Sequence, residues 1–186
     1  MSKKAIVIYN SKRGSTKQYA EWIAGELGCT SVSLENLDYG SLGQFDVVIF
    51  GSWLRGSGIV GFDKFRKQIT DFALTYLNTP YIWGSTGPKS FDCSGFVNYV
   101  YKEIATVQLP RTSYNIAKLK NKVEKDDLQI GDIIYFKTTK KKRISHVGIY
   151  IGDNKFVHAS SAKKKVVISE IEGFYKRAYR GAVRPY

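Results

Sequence analysis

Residues 144–159 constrain the fold more than any other stretch of the chain. Two apolar runs, 144–151 and 155–159, are separated only by Gly152, Asp153 and Asn154. Three residues of turn chemistry leave no room for a crossover, so the runs must pair antiparallel as a hairpin. The hairpin also carries both histidines of the chain, His146 and His158. If both face one side of the sheet, one imidazole can take a proton while the other holds its tautomer.

A nucleophile for such a pair lies upstream in Phe91-Asp92-Cys93-Ser94-Gly95-Phe96. The pattern predicts a helix over 93–103, with Phe96, Val97, Val100 and Tyr101 on its apolar side. Cys93 would sit in the first turn. There the helix dipole and unpaired N–H groups favour the thiolate, lower the cysteine pKa and can hold an oxyanion. From the residues alone three readings stand. Cys93 and the histidines form a catalytic set; or Cys93 is a buried small side chain and the histidines are satisfied core residues; or the three bind a metal. The last lacks the close ligand pair that zinc sites usually show, so no metal is expected. Cys29, after Gly28 at a helix end, reads as a structural thiol.

The first seventy residues have a different pattern. Residues 5–9 are apolar without alternation, as in a parallel strand buried on both faces. A polar turn over 10–16 leads into a helix predicted over 16–27, with Tyr19, Ile23 and Leu27 on one face. Gly28 ends it. A weaker strand is expected over 31–37 and an apolar one over 45–50, followed by Gly51, Ser52 and Trp53. The interval 37–44 is too short for a crossover helix and has room for one turn. A helix over 62–76, stopped by Asn78, Thr79 and Pro80, crosses the change of character. With no Gly/Ser linker, a rigid junction between segments 1–70 and 71–186 is expected.

Composition excludes several classes. Aromatic residues make up 14% of the chain, too many for disorder, and two cysteines cannot build a disulfide scaffold. No apolar run reaches the roughly 18–20 residues of a membrane helix. The formal charge is +13, of which +10 falls in residues 71–186. The basic runs Lys140-Lys141-Lys142-Arg143 and Lys163-Lys164-Lys165 flank strand-like segments, so they are expected in hairpin loops. They either solubilise a face or meet an anionic polymer. A cell wall fits as well as nucleic acid, and no recognition helix or pair of RNA-binding aromatics points to specific nucleic-acid reading. The start MSKKAIVIYN has too short an apolar stretch for a signal peptide. The expected location as synthesised is cytoplasmic, with extracellular action following lysis or atypical export.

The segments ALTYLNTPYIWGSTGPKSFDCSGFVNYVY, LPRTS, LQIGDIIYF, SHVGIYIGDNKFVHAS and RAYRGAVRP occur in that order. Together they resemble the NlpC/P60 family of papain-like cysteine peptidases. The resemblance implies an α+β papain-like domain over 71–186, with the cysteine on a helical part and the histidines on an antiparallel sheet. It implies Cys93 as nucleophile, His146 as base and His158 as the orienting residue. Tyr81, Asp92 and Ser94 match positions of the acyl-side pocket, where Asp92 would meet the free N-terminal ammonium of a stem peptide. Tyr81 would also donate near the oxyanion. Arg111, in the LPRTS segment, would meet a carboxylate or brace the cleft. Family members often carry paired glycines where this chain has Gly84-Ser85, which bears on the shape of that loop. The implied function is hydrolysis of peptidoglycan stem peptides at the bond from γ-D-glutamyl to diaminopimelate or L-lysine. Amidase, transferase and acyltransferase relatives leave the bond open. The partners implied are peptidoglycan-derived peptides or an anionic wall polymer.

AIVIYNSKRGSTKQYAEWIAGELG and DVVIFGSWLRGSG resemble an α/β flavodoxin-type domain. By that resemblance Ser11, Arg13, Gly14, Ser15 and Thr16 correspond to the FMN phosphate loop, and Ser52 and Trp53 begin a second flavin loop. The resemblance ends near residue 70, before two further strands. A truncated flavodoxin-like segment is therefore expected to bind no cofactor, with FMN the alternative. It would pack on the rest of the chain or on a second copy as a homodimer. The competing functions are a flavin redox protein and a catalytically silent binding or assembly protein.

Overall fold

The structure, a computed structural model, describes residues 4–11, 14–52, 54–55, 58–59, 62–105, 107–140 and 143–185. The chain divides into two compact units, one of residues 1–65 with 103–106 and one of residues 66–102 with 107–186.

In the first unit three parallel strands, β1 (Ala5–Asn10), β2 (Thr30–Ser33) and β3 (Val47–Ser52), lie in the order β2-β1-β3. The central strand explains the unbroken apolar run. Ile6 and Ile8 pack with Leu34, Leu37 and Leu42 on one face, while Val7 packs with Ala20 and Ala24 on the other. Those alanines belong to α1 (Ser15–Glu26). The expected contact face of this helix is not the one it uses, since Tyr19, Ile23 and Leu27 are 61%, 40% and 52% exposed. Small side chains let a helix approach a sheet closely, so the alanine stripe faces the strands. The second strand is only four residues long, and the link from β2 to β3 is a single 3-10 helix at Tyr39–Gln44. Its start is capped by the Asp38 carboxylate, which accepts from the Gly40 N–H. A short antiparallel pair, β4 (Leu54–Arg55) and β5 (Gly58–Ile59), follows, then α2 (Phe62–Leu74).

The second unit carries a six-stranded antiparallel sheet. Its strands are β6 (Lys122–Val123), β7 (Ile133–Phe136), β8 (His146–Gly152), β9 (Lys155–Ser160), β10 (Lys165–Glu170) and β11 (Tyr179–Val183). They lie in the order β10-β9-β8-β7-β11-β6. Three helices accompany them: α3 (Cys93–Ala105), α4 (Ser113–Ile116) and α5 (Gly173–Ala178). In α3 the predicted residues Phe96, Val97, Val100 and Tyr101 are all fully buried. The Tyr101 hydroxyl donates to the Gly131 carbonyl. On the sheet, Phe136 and Phe156 hold their rings 4.9 Å apart in a cluster with Ile134, Ile171, Ala178 and Ala182. Distant segments are tied by Asp132, which is fully buried and receives both Nε and Nη2 of Arg184 at 2.8 and 2.9 Å. A buried carboxylate needs such a partner.

Gly148 sets the spacing of β8 and β9. A Cβ there would come within 2.6 Å of the Phe156 ring, 3.0 Å of the Val157 carbonyl oxygen and 3.1 Å of the His158 Cβ. Two of these neighbours cannot swing away. Gly148→Ala is therefore expected to destabilise the fold by about 1–3 kcal/mol, read as a lower midpoint in urea unfolding. An unchanged midpoint would show that the two strands part without cost.

Candidate active site

The register of the sheet determines which side chains meet. Strands β8 and β9 pair Ile149 with Val157 and Tyr150 with Phe156. Continuing that pairing sets Gly148 opposite His158, so His146 and His158 are diagonal neighbours on one face. Their rings meet edge to face, with His146 Nε2 2.7 Å from His158 Nδ1. Strands β9 and β10 pair Phe156 with Ser169, which puts the serine on the same face. Its Oγ lies 3.0 Å from His158 Nε2. The hydroxyl groups of Ser160 and Ser169 act on that of Tyr175, opposing the rise that burial imposes on its pKa. Ser169 and Tyr175 extend the histidine pair and were not anticipated from the sequence. Their signal was present only in the pairing of β9 with β10.

Cys93 opens α3 and is buried, 8% exposed. Its sulfur is faced by its own N–H, by that of Ser94, and by that of Val147, the residue after His146. The thiol therefore lies at the start of β8, while the Nε2 side of His146 is occupied by His158. This leaves His146 Nδ1 as the ring nitrogen free of that pairing.

The electrostatics reverse one expectation. Burial, reinforced by the Asp92 charge, pushes the Cys93 thiol up to about 11. The backbone N–H groups at the helix start pull downward and lose, because a buried thiolate gives up more hydration than they return. Burial alone brings His146 down to about 4. Burial, then the neighbouring His146, lowers His158 further. At neutral pH the set rests as a thiol and two neutral imidazoles. Tyr81 is held protonated as well, pushed up to about 12 by burial and by Cys93 and Asp92.

A cleft of about 750 Å³ opens beside the sulfur, lined by Trp83, Asp92, Cys93, Ser94, Arg111 and Arg143 among others. The Asp92 carboxylate accepts from the Gly84 N–H at 3.0 Å, the Gly95 N–H at 2.6 Å and the Ser94 hydroxyl at 3.2 Å. Arg111 donates to both its oxygens, at 2.6 and 3.2 Å. The same guanidinium donates to Ser94 Oγ and to the Gly84 carbonyl. Asp92, Ser94 and Arg111 thus form one closed network. Arg111 is raised above its ordinary value, first by its hydrogen bond to Asp92. The loop with Gly84-Ser85 is part of the same wall: Gly84 takes the left-handed conformation, φ 82°, which suits glycine. Ser85 Oγ is 2.7 Å from Ser90 Oγ.

In the first unit, Gly14 precedes α1 in a left-handed conformation, and its N–H donates to Ser11 Oγ at 3.0 Å. Ser15 and Thr16 form the first turn. Arg13 and Trp53 lie outside the described residues, as do Lys141 and Lys142. Among the described residues the parallel sheet has three strands. One of the Gly14-loop donors is thus spent internally.

The NlpC/P60 family model matches residues 78–184, and a flavodoxin domain model matches residues 6–86. The murein DD-endopeptidase MepH of Escherichia coli is 34% identical over 65% of this chain and 46% of its own length. The gamma-DL-glutamyl hydrolase of Bacillus subtilis is 36% identical over 59% of this chain and 27% of its own length. This chain thus spans less than half of either relative. The probable endopeptidase YafL of Escherichia coli is 29% identical over 98% of this chain and 69% of its own length. An NlpC/P60 family protein from Bacillus cereus superposes with a TM-score of 0.60 at 34% identity, covering 64% of this chain and 40% of that one. The chain belongs to the NlpC/P60 family.

The depressed histidines make stability depend on pH. Between about 6.5, the ordinary histidine value, and about 4, the unfolded chain binds a proton at residue 146 that the folded chain does not. That contribution is fully present above the unfolded value and is lost as pH falls toward the folded one. Acidification from pH 7 to 4 is expected to remove about 3 kcal/mol at this residue. A melting temperature that stays level from pH 7 to 4 would contradict the burial of a neutral His146.

Proposed function

We propose that this member of the NlpC/P60 family is a cysteine peptidase of peptidoglycan stem peptides, cleaving the amide from γ-D-glutamyl to diaminopimelate or L-lysine. The observation that carries the reading is the Cys93 sulfur beside the N–H of Val147, the residue after His146, together with the hydrogen-bonded series His146, His158 and Ser169. The names of the relatives, murein endopeptidases and a glutamyl hydrolase, support the substrate class. The excess of +10 in residues 71–186 suits an anionic wall.

The chemistry follows from the protonation states. His146 Nδ1 takes the thiol proton as the sulfur attacks the carbonyl carbon, because a free thiolate is too costly in this buried site. The oxyanion is met by the Cys93 N–H and by the protonated Tyr81 hydroxyl. The imidazolium is held through Nε2–H by His158 Nδ1. This requires His158 to keep its own proton on Nε2, where Ser169 Oγ accepts it. The imidazolium then gives its Nδ1 proton to the leaving amine and the C–N bond breaks. Water, deprotonated by His146, attacks the thioester and releases the acid and the thiol. Each turnover consumes one amide and one water and yields one carboxylic acid and one amine.

Three outcomes are expected. Cys93→Ala abolishes cleavage of a γ-D-glutamyl stem peptide while the folded protein persists in circular dichroism; cleavage surviving in that variant would remove the nucleophile. The profile of kcat/KM against pH has its acid limb near 4 and no basic limb below about 11, whereas an acid limb near the ordinary histidine value would show a solvated base. Ser169 is a positioning residue. Ser169→Ala lowers kcat roughly five- to tenfold, the value of one hydrogen bond, leaves KM in place and is rescued by Ser169→Thr. A KM effect without a kcat effect would make Ser169 merely structural.

A further inference from the structure

We propose that Tyr175 is a further positioning residue of this reaction: its ring closes the back of the histidine pair against water, and its hydroxyl steadies Ser169. The inference rests on the peptidase reading above and concerns a residue outside the cleft that holds Cys93. Tyr175 belongs to α5, which begins after β10 at Gly173 in the left-handed conformation, φ 48°. Of the two adjacent aromatic residues there, Phe174 is 54% exposed, while Tyr175 turns onto the sheet. The Tyr175 ring centroid lies 5.5 Å from that of His158, edge to face, and 6.4 Å from that of His146, with the planes 30° apart. It also lies 5.3 Å from Phe136 and 5.0 Å from Phe156, the rings on which the histidines pack. One side chain thus backs both imidazoles and both of their apolar neighbours.

Two cavities give that position its importance. One, of about 190 Å³, is lined by His146 with Thr138, Thr139 and Ser160. The other, of about 600 Å³, lies beyond Ser169 and is lined by Lys155, Glu170 and Glu172. Among the described residues Tyr175 is the one that lines both. Its ring is the partition. Without it the two spaces would join, and water would reach His146 directly and His158 past Ser169. A hydrated imidazole returns toward its ordinary pKa, because burial is what disfavours its charged form. The charged and titratable groups around the pair are Cys93 and Asp92 on the α3 side, Tyr175 from α5, and Lys155, Glu170 and Glu172 beyond Ser169. The nearer cavity adds no charged side chain. Burial alone lowers His146, so the partition matters more to it than these charges. The hydroxyl has a separate role. It is acted on by the hydroxyl groups of Ser160 and Ser169, and Ser169 Oγ is the atom that meets His158 Nε2 at 3.0 Å.

The test compares the full chain with its Tyr175→Ala and Tyr175→Phe variants on a γ-D-glutamyl stem peptide. Tyr175→Ala is expected to lower kcat roughly ten- to hundredfold with KM in place. It should also move the acid limb of kcat/KM from near 4 toward the ordinary histidine value of about 6.5. Tyr175→Phe keeps the ring and loses the hydroxyl, so its limb should stay near 4 while kcat falls roughly three- to tenfold. An acid limb left near 4 in Tyr175→Ala overturns the closing of the pair. An unchanged kcat in Tyr175→Phe overturns the steadying of Ser169. Should Tyr175→Ala fail to fold, Tyr175→Leu takes its place in each measurement. A second readout needs no substrate. His146 and His158 are the chain's only histidines, so their ring signals can be titrated by NMR. Both should titrate at higher pH in Tyr175→Ala than in wild type and at the wild-type values in Tyr175→Phe; titration unmoved in Tyr175→Ala overturns the proposal. If the wild-type protein cleaves no stem peptide, the peptidase reading falls, while this titration still decides whether Tyr175 closes the pair.

Discussion

One buried carboxylate organises the catalytic wall. Asp92 immediately precedes Cys93, the proposed nucleophile, and removing its charge from water is costly unless it is paired. Five donors offset that cost, and they come from three separate places: the loop at Gly84, the start of α3 at Ser94 and Gly95, and Arg111 nineteen residues away. Satisfying Asp92 therefore brings these segments together. Gly95 is required for the same reason. A Cβ at that position would strike the Ser85 carbonyl oxygen and crowd Asp92 Oδ1. The negative charge that ties the wall together also opposes the thiolate beside it. The buried sulfur therefore rests protonated, and in the mechanism we propose His146 takes its proton during the attack.

The second constraint is the register of three adjacent strands. Side chains of antiparallel neighbours share a face only when the pairing has the right parity, since a slip of one residue reverses every side chain. On β8, β9 and β10 the parity aligns His146, His158 and Ser169, and each ring nitrogen that faces a partner finds one within 3.0 Å. Phe156 stacks on His158 with ring centroids 4.6 Å apart. Core packing and ring orientation are thus a single arrangement. The low polarity that lowers the histidine pKa values is the other side of the same packing.

How much of this was legible depended on the range of the interaction. The apolar side of α3 and the hairpin of β8 and β9 were readable, because each rests on near neighbours in sequence. The contact face of α1 was misread. Tyr19, Ile23 and Leu27 dominate a hydrophobic pattern, but Ala20 and Ala24 make the contact because their small size permits close approach to Val7. Ser169 carries no signal in the sequence, and only the pairing of Phe156 with Ser169 on the edge strand β10 gives it a place beside His158. Arg111 was expected either to meet a carboxylate or to brace the cleft. It does both, and the carboxylate is the protein's own.

The amino-acid sequence by itself determined that a cysteine at a helix start would accompany two histidines on a tight hairpin, and that a short parallel α/β segment would precede them. Those are consequences of local periodicity and turn chemistry. Only the tertiary structure decided the protonation of the set and the condition of the pocket. Burial, not the helix dipole, sets the Cys93 thiol, because the desolvation of a charge depends on everything packed around it. Whether Asp92 stands open or closed depends on where Arg111 arrives in space, and spacing along the chain does not encode that distance.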